Sequence, residues 1–520
     1  MNDRMNLSSV NNEGPKCVLL LYQKIWGWLY EALIPHMRNE FGTRFIILAP
    51  ASAVLHLNTN VCGPEDEVID LAALEKSEEP ADTSAAMKEG ARNEERYNVS
   101  YLRDLVQQLR TISANYLTHS PMSNYSVSHI ESWPRIVNRL NLMFDYFGNL
   151  LSERGVDLVI CRPDIAFSTL ACVHVAAARG IPVTFGKGVR YKDYLGWACG
   201  PYAESDYLAE TFKTIPECEP TPREELVPPG GSGLRWSQAR RRYSFFNTAR
   251  EVLVQTIIHT LFLFKDIREG YRPGTRRLSY SGAVRQLLHA RKVGNWIDSH
   301  GETDIEAIAS QPYVLFLLPQ EPEFSIQSLC REFPHTFTVA QQLALCLPPG
   351  TRLVIKEHSL LTGRRLSFYQ DLLRLPNVVL AHRLVSGIDL ADRSAAVATM
   401  SGTTGVEATL LGKQVVLIGR HIEYGFLPNI QRVRSFDNLP EIMREALRER
   451  TDAEIEAVRR AGSTYRATVA AISYSAPGTP PLNGDRQTIT DAEVGDAIKA
   501  LLGNYRFQKW QATQQKVATQ

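Results

Sequence analysis

Residues 395–418 read AAVATMSGTTGVEATLLGKQVVLI. An apolar run from Ala395 to Thr399 enters the small, hydroxylic stretch Ser401-Gly402-Thr403-Thr404-Gly405. Helical spacing then continues to Leu411, Gly412 stops it, and Gln414 to Ile418 is apolar again. Strand, turn, helix and strand at this short spacing predict one step of a parallel α/β sheet. The turn has the makings of an anion site. Small residues let the backbone approach a phosphate, the free N–H groups and dipole of the helix start attract negative charge, and the hydroxyls of Ser401, Thr403 and Thr404 add donors. The alternative is a Ser/Thr cap with glycines that serve only the turn. Glu407, in the first helical turn, suits a bond from a ribose or simple complementation of the dipole.

The same alternation continues upstream. Tyr313 to Leu318 (YVLFLL), Arg352 to Lys356 (RLVIK) and Asn377 to Leu380 read as strands, with helices around Thr338 to Leu347 and Arg365 to Leu375. Lys356-Glu357-His358 closes the second of these strands, so it falls on the same carboxyl rim as Ser401, where open α/β sheets bind ligands. His358 is placed to donate to a diphosphate or nucleotide monophosphate and stabilise the leaving group, and Lys356 adds charge; the plainer role for a histidine there is a structural hydrogen bond. Pro319-Gln320-Glu321-Pro322-Glu323 ends the first strand and brings Gln320 and Glu323 to that rim, unless the segment is only a turn.

The N-terminal third repeats the pattern. Cys17 to Tyr22 (CVLLLY) and Arg44 to Ala49 (RFIILA) flank a helix from Trp26 to Phe41. Helices at 99–117 and 134–153 precede strand Asp157 to Cys161, a helix at 171–179 and strand Ile181 to Phe185. Between Gly63 and Tyr97 eleven acidic residues stand against four basic ones, which predicts a mobile or partly helical insertion. Two loops are expected beyond the carboxyl ends of these strands: Arg162-Pro163-Asp164, and Gly186-Lys187-Gly188-Val189-Arg190. Asp164 is the first candidate for a general base, a carboxylate placed to take a proton from a hydroxyl; its plainer role is an N-cap. Glu153, Asp157 and Asp193 are further candidates. Lys187 and Arg190 suit an anionic acceptor or a donor phosphate.

With 520 residues the chain exceeds one core. Its 57 Lys+Arg against 56 Asp+Glu argue against a polyanionic partner, so nucleic acid is not expected. Eight scattered cysteines without a C-x-x-C pair argue against a disulfide framework or a zinc ribbon, and no metal is expected. Met1 to Lys16 lacks the order of a signal peptide and no apolar run is long enough to span a bilayer, so a reducing cytoplasm is expected. The charge asymmetry lies in 234–292, with thirteen Lys or Arg against three Asp or Glu around the apolar 252–264. Such a segment either lies on an anionic membrane at the inner face of the cell or packs its apolar residues into an interdomain core.

The expected domains are therefore 1–214, a Rossmann-like acceptor domain that contains the 63–97 insertion; 215–310, a Pro/Gly linker and basic helical region; 311–475, a Rossmann-like nucleotide-sugar donor domain; and 476–520, a tail with a closing helix over Asp491 to Tyr505. This is an α/β, GT-B-like plan: two Rossmann-like doubly wound domains facing a cleft, as in glycosyltransferases and sugar-nucleotide epimerases.

Within 313–432 the stretches LPQEPE, LPPGTRLVIKEHS, GRR followed by FYQDLLRLPNVVL, SGTTGVEATLLGKQVVLIG and EYGFLPNI resemble the C-terminal half of bacterial capsular polysaccharide synthesis proteins. That group of GT-B transferases includes the β-Kdo transferases. The resemblance covers roughly a quarter of the chain and implies a glycosyltransferase that uses a nucleotide-sugar, CMP-linked in related enzymes, with no further cofactor. In those enzymes a His-Pro pair and a Ser/Thr-rich loop hold the nucleotide phosphate. Here they match His358, followed by Ser359 where the group has proline, and Ser401 to Thr404. SGTTGVEA is also similar to the Ser-Gly-Gly-x-x-Glu-Glu phosphate and ribose site of UDP-N-acetylglucosamine 2-epimerases, so an epimerase is the enzymatic alternative. A nucleotide-sugar-binding or scaffold protein of the same fold is the non-catalytic one.

Overall fold

A computed structural model describes residues 14–23, 26–49, 57–71, 79–102, 105–106, 132–161, 167–189, 194–200, 202, 206–226, 245–268, 280–319, 326, 328–357, 364–420, 423–475 and 489–519. The chain forms two compact units. The first comprises 1–106, 131–215 and 466–520, and the second 107–130 and 216–465.

The first unit is built on a seven-stranded sheet. Its strands are β1 (Cys17–Leu21), β2 (Arg44–Ala49), β3 (Glu67–Asp70), β4 (Leu158–Cys161), β5 (Val183–Gly188), β6 (Tyr194–Cys199) and, from the chain's far end, β13 (Tyr474–Ser475). The order is β13-β6-β5-β4-β1-β2-β3. The five strands from β3 to β5 run parallel, whereas β6 returns antiparallel to β5 and β13 antiparallel to β6. CVLLL is buried at every position because a central parallel strand is covered on both faces.

The acidic 63–97 stretch is partly helical where the structure describes it, and it also adds a strand to the sheet. It supplies edge strand β3, in register with β2 from Ile46↔Glu67 to Ala49↔Asp70, and a helix over Thr83–Arg96. Several of its charges have fixed partners. The Asp66 side chain is 1% exposed; its carboxylate accepts from the amides of Phe45 and Gly63, each at 2.7 Å, and from Arg38. Glu67 pairs with Arg154 at 3.1 Å, and Asp82 caps the helix by accepting from Ala85 N at 3.0 Å. Composition alone counts such carboxylates as solvated.

Gly186 and Lys187 also differ from the expected loop. β5 continues through Gly188 and turns into β6, so Lys187 stands within a hairpin opposite Gly196, half-buried. The 490–519 segment closes the unit with a longer helix than expected, Asp491–Thr519. A capping box starts it: Thr490 N donates to Glu493 at 2.9 Å and Glu493 N to the Thr490 hydroxyl at 3.3 Å. Val494, Ala497, Ile498, Leu501 and Leu502 enter the core formed by β1, β2 and β4. Trp197 Nε1 donates to the Ala497 carbonyl at 3.0 Å, and Asn504 Nδ2 to the Trp197 carbonyl at 2.9 Å. The chain's last segment is thereby part of its first sheet's core.

The second unit has six parallel strands: β7 (Tyr313–Leu317), β8 (Arg352–Lys356), β9 (Val378–Ala381), β10 (Ala396–Thr399), β11 (Gln414–Leu417) and β12 (Ile430–Arg432). Their order is β12-β11-β10-β7-β8-β9. Counted within the unit this is 3-2-1-4-5-6 read from the other edge, the Rossmann order, and β3 to β5 of the first unit follow 3-2-1-4-5. Two long helices, Phe245–Arg268 and Tyr280–His300, belong to the second unit and pack on each other. Among the described residues no helix is long and apolar enough to cross a membrane.

Leu501 is fully buried, whereas Leu345, at the end of helix Thr336–Leu345, is 62% exposed. Leu501→Ala is therefore expected to destabilise the chain by about 2–5 kcal/mol and Leu345→Ala by less than about 0.5 kcal/mol. Urea denaturation of the two variants checks this. Equal losses would remove the C-terminal helix from the core.

Candidate functional site

In the second sheet the strand order reverses between β7 and β10, and a doubly wound sheet opens a crevice at the carboxyl ends of such a pair. The segment that leaves β10 there is Met400 to Thr403, followed by helix Thr404–Leu410. Its turn is held from below and behind by side chains. Thr399 Oγ1 accepts from Gly402 N at 2.9 Å, and the Tyr424 hydroxyl donates to the Gly402 carbonyl at 2.6 Å. Gly405 leaves room for that tyrosine, since a Cβ at 405 would stand 2.5 Å from the Tyr424 ring. At the helix's other end Gly412 adopts φ +79, the left-handed conformation of a C-terminal stop.

The turn's donors are not equivalent. Ser401 and Thr404 are buried, Gly402 and Glu407 are half-buried, and Thr403 is exposed. A ligand at this rim meets the exposed Thr403 at the positive end of the helix dipole; Gly405 N is already bonded to the Gly402 carbonyl at 3.4 Å and Val406 N to the Thr403 carbonyl at 3.0 Å.

β8 lies on the other side of β7 from β10, so its carboxyl end is about 10 Å from that of β10. Lys356 and Glu357 end it, and both are buried. The Lys356 ammonium turns toward β9, where it donates to the Arg383 carbonyl at 3.4 Å. Burial pushes the Lys356 amine down to about 8, against an upward pull from Glu357. Arg364 Nη1 donates to both carboxylate oxygens of Glu357, at 2.8 and 2.9 Å, and the Tyr369 hydroxyl donates to Glu357 Oε2. Burial first, and the Glu357 charge second, raise the Tyr369 hydroxyl well above its ordinary value. Arg364 Nη2 reaches back to the Pro319 carbonyl just beyond β7. The guanidinium also lies 5.3 Å from the centre of the Phe368 ring.

At the end of β9, Asp298 pairs with Arg383 and, at 3.3 Å, with His382. Burial lowers the His382 imidazole more than Asp298 raises it, with Arg383 and Lys356 adding to the lowering.

Of the residues singled out from sequence, Lys356, Ser401, Gly402, Thr403, Thr404 and Glu407 thus share one rim of one sheet. Gln320, Glu323 and His358, like Asp164 and Arg190, lie outside the described residues. Among the other carboxylates considered as bases, Asp157 accepts from the backbone amides of Lys16, at 2.9 Å, and Cys17, at 3.3 Å, which is a structural role. Arg364, Tyr369, Asp298, Arg383 and Tyr424 are the site-forming residues that sequence reasoning missed. One signal was available: Glu357 follows a buried strand directly, and a buried carboxylate requires a partner.

No family model matches the sequence, and no curated protein matches it. Among solved structures the chain is similar to S. aureus MnaA in a co-structure with UDP, at 10% identity over 87% of this chain and 94% of that one, with TM-score 0.26. It is similar to the UDP-GlcNAc 2-epimerase from Methanocaldococcus jannaschii at 11% identity, over 87% of this chain and 98% of that one, with TM-score 0.24. The β-Kdo 2,7 transferase of Thermosulfurimonas dismutans KpsC matches at 14% identity, over 64% of this chain and 81% of that one, with TM-score 0.31. The strand orders carry the fold: two Rossmann-like α/β units in one chain, whose last segment returns to the first, make a GT-B-type plan.

The Lys356 amine gives this rim a pH signature. Below about pH 8 both the folded and the unfolded chain hold the proton, and the cost of a buried charge is in force. Between about 8 and 10.5 the folded chain releases a proton that the unfolded chain keeps, so stability rises with pH. Relative to Lys356→Met, the native chain should gain about 3 kcal/mol across that window. Urea midpoints of both proteins at pH 7 and pH 10 read it, and a constant difference would contradict the burial of this amine.

Proposed function

We propose that this protein is a glycosyltransferase that moves a sugar from a nucleotide-sugar to a saccharide or glycolipid acceptor in bacterial surface polysaccharide assembly of the capsule type. The observation that carries the reading is the Ser401–Thr404 turn at the switch point of a Rossmann-ordered sheet, with Thr403 exposed at the start of the following helix. The C-terminal Rossmann-like domain, 311–475, takes the donor. Its nucleotide phosphate engages the 401–404 turn and His358; Glu407 takes the ribose; Gln320, Glu323 and the Lys356 charge complete the donor side. The N-terminal unit takes the acceptor through Lys187 and Arg190.

In the reaction Asp164 accepts the proton of the acceptor hydroxyl as that oxygen attacks the anomeric carbon. The bond from that carbon to the phosphate oxygen breaks on the opposite face, so configuration inverts. His358 and the helix start stabilise the negative charge that develops on the departing nucleotide. No step calls on a metal ion or a cofactor. A CMP-linked donor fits the motif resemblance best, and the enzyme would work on the cytoplasmic side of the membrane.

Incubation with CMP-, UDP-, GDP- and dTDP-sugars, with and without a glycolipid acceptor, tests this reading. Nucleotide release that depends on acceptor is expected. Asp164→Asn should lower turnover by roughly a hundredfold and leave nucleotide binding intact, while His358→Ala should weaken nucleotide binding by about tenfold. Conversion of a donor without acceptor would make the protein an epimerase, and binding without turnover a nucleotide-sugar-binding protein.

A further inference from the structure

Past the 401–404 turn the carboxyl rim of the second sheet becomes basic. β11 and β12 follow β10 in the sheet, so their carboxyl ends lie about 5 and 10 Å along the rim from that of β10. Arg420 stands three residues after the last residue of β11, and Arg432 is the last residue of β12; both are exposed. Hydrogen bonds tie them to the turn by two routes. The Arg420 amide donates to the Leu329 carbonyl at 3.0 Å, and the thiol of the next residue, Cys330, donates to the Met400 carbonyl at 3.1 Å. By the second route Arg432 Nε donates to the Gly425 carbonyl at 3.1 Å, beside Tyr424, whose hydroxyl holds the Gly402 carbonyl. Gly425 leaves room for that guanidinium, since a Cβ there would meet Arg432 Nη2.

The two arginines differ in what holds them. Arg432 Nη1 also donates to the Arg420 carbonyl, at 3.3 Å, so its guanidinium fixes the backbone from which Arg420 projects. Arg420 Nη1 faces Glu332 at 3.7 Å, beyond hydrogen-bond length, and its side chain is 65% exposed. Glu332 is shared with Arg331, also at 3.7 Å. An exposed ion pair of this length contributes little and yields to a better acceptor. The charge of these segments is also out of balance. Arg331, Arg420, Arg432 and Arg434 stand against Glu332 and Glu423 among the described residues of 328–332 and 418–434, an excess of two positive charges. An exposed guanidinium on an ordered loop, only partly neutralised, matches an acceptor that offers two oxygens to its fork.

We infer that Arg420 binds a second anionic group of the donor, next to the phosphate at the 401–404 turn, and that Arg432 is the residue that positions it. This rests on the reading of that turn as a phosphate site. The group is an oxyanion with two oxygens for one guanidinium: either the second phosphate of a nucleoside diphosphate or a carboxylate on the sugar of a nucleoside monophosphate. A neutral sugar on a monophosphate would leave the excess charge unanswered.

Calorimetric titration of the full chain with UMP, UDP, CMP and CMP-N-acetylneuraminate, whose sugar carries a carboxylate, tests this. In one of the two pairs, UDP over UMP or CMP-N-acetylneuraminate over CMP, the second anionic group should raise affinity by about tenfold or more, and that pair identifies its source. Arg420→Gln should bring the ratio close to one without a change in melting temperature, as the side chain is exposed. Arg432→Lys keeps the charge but loses the bonds that orient the loop, and should lower the same ratio several-fold. Glu332→Gln removes the competing carboxylate and should raise the ratio by about two- to threefold, whereas a purely structural pair predicts no gain from either change. A ratio that survives Arg420→Gln, or binding of UMP and CMP with no gain from either second group, overturns the inference and leaves the phosphate reading of the turn standing. If none of the four binds, that reading fails and the inference with it.

Discussion

A carboxylate without access to water governs the carboxyl rim of the second sheet. Glu357 is 1% exposed at the end of β8 and is held by Arg364 Nη1, which donates to both its oxygens, and by the Tyr369 hydroxyl. Removing either partner of such a buried pair typically costs about 3–5 kcal/mol, although a well-packed apolar replacement of both can be neutral. Its value is therefore geometric. Arg364 also holds the Pro319 carbonyl, so a single guanidinium fixes the ends of β7 and β8, the strands beside the switch point. Asp298 does the same for the end of β9 through Arg383 and His382. Burial of the Lys356 amine itself lowers it, against an upward pull from Glu357, because low-dielectric surroundings penalise an ammonium whose bond is to a neutral carbonyl.

On the other side of β7 the turn after β10 is built without charge. Thr399, Tyr424 and the space at Gly405 set the 401–404 turn through neutral hydrogen bonds and one close approach. The switch point thus lies between a charged, braced edge and a small, uncharged turn at the start of a helix, with Thr403 exposed. An anionic ligand at such a place meets donors that are already oriented, so little of its binding energy goes into ordering the site.

Much of the fold is legible in the sequence for a physical reason. β1, β2, β7, β8, β10 and β11 are parallel strands covered on both faces, so they read as unbroken apolar runs between helical segments. β3 is an edge strand, EVID, with alternating exposure, and its acidic character suggests solvation until Arg154 is seen to partner Glu67 and Arg38 the neighbouring Asp66. β6, YLGWAC, is part of a hairpin whose glycines hide a strand signal, and this shifts Lys187 from loop to strand. In the site, the Ser-Gly-Thr-Thr-Gly turn is legible because small residues after a strand have few other uses. The Glu357–Arg364 pair is not, because its burial is decided by tertiary packing of a helix that local pattern describes only as amphipathic.

The central claim, that the β7–β10 switch point of the second sheet receives a nucleotide phosphate, is tested most directly by hydrogen–deuterium exchange of the full chain with and without CMP and UDP. The account predicts that nucleotide slows exchange in the peptide covering Met400 to Glu407, with little change along β1 to β3 of the first sheet. Unchanged exchange at 400–407 in the presence of saturating nucleotide, or protection confined to the first unit, would contradict it.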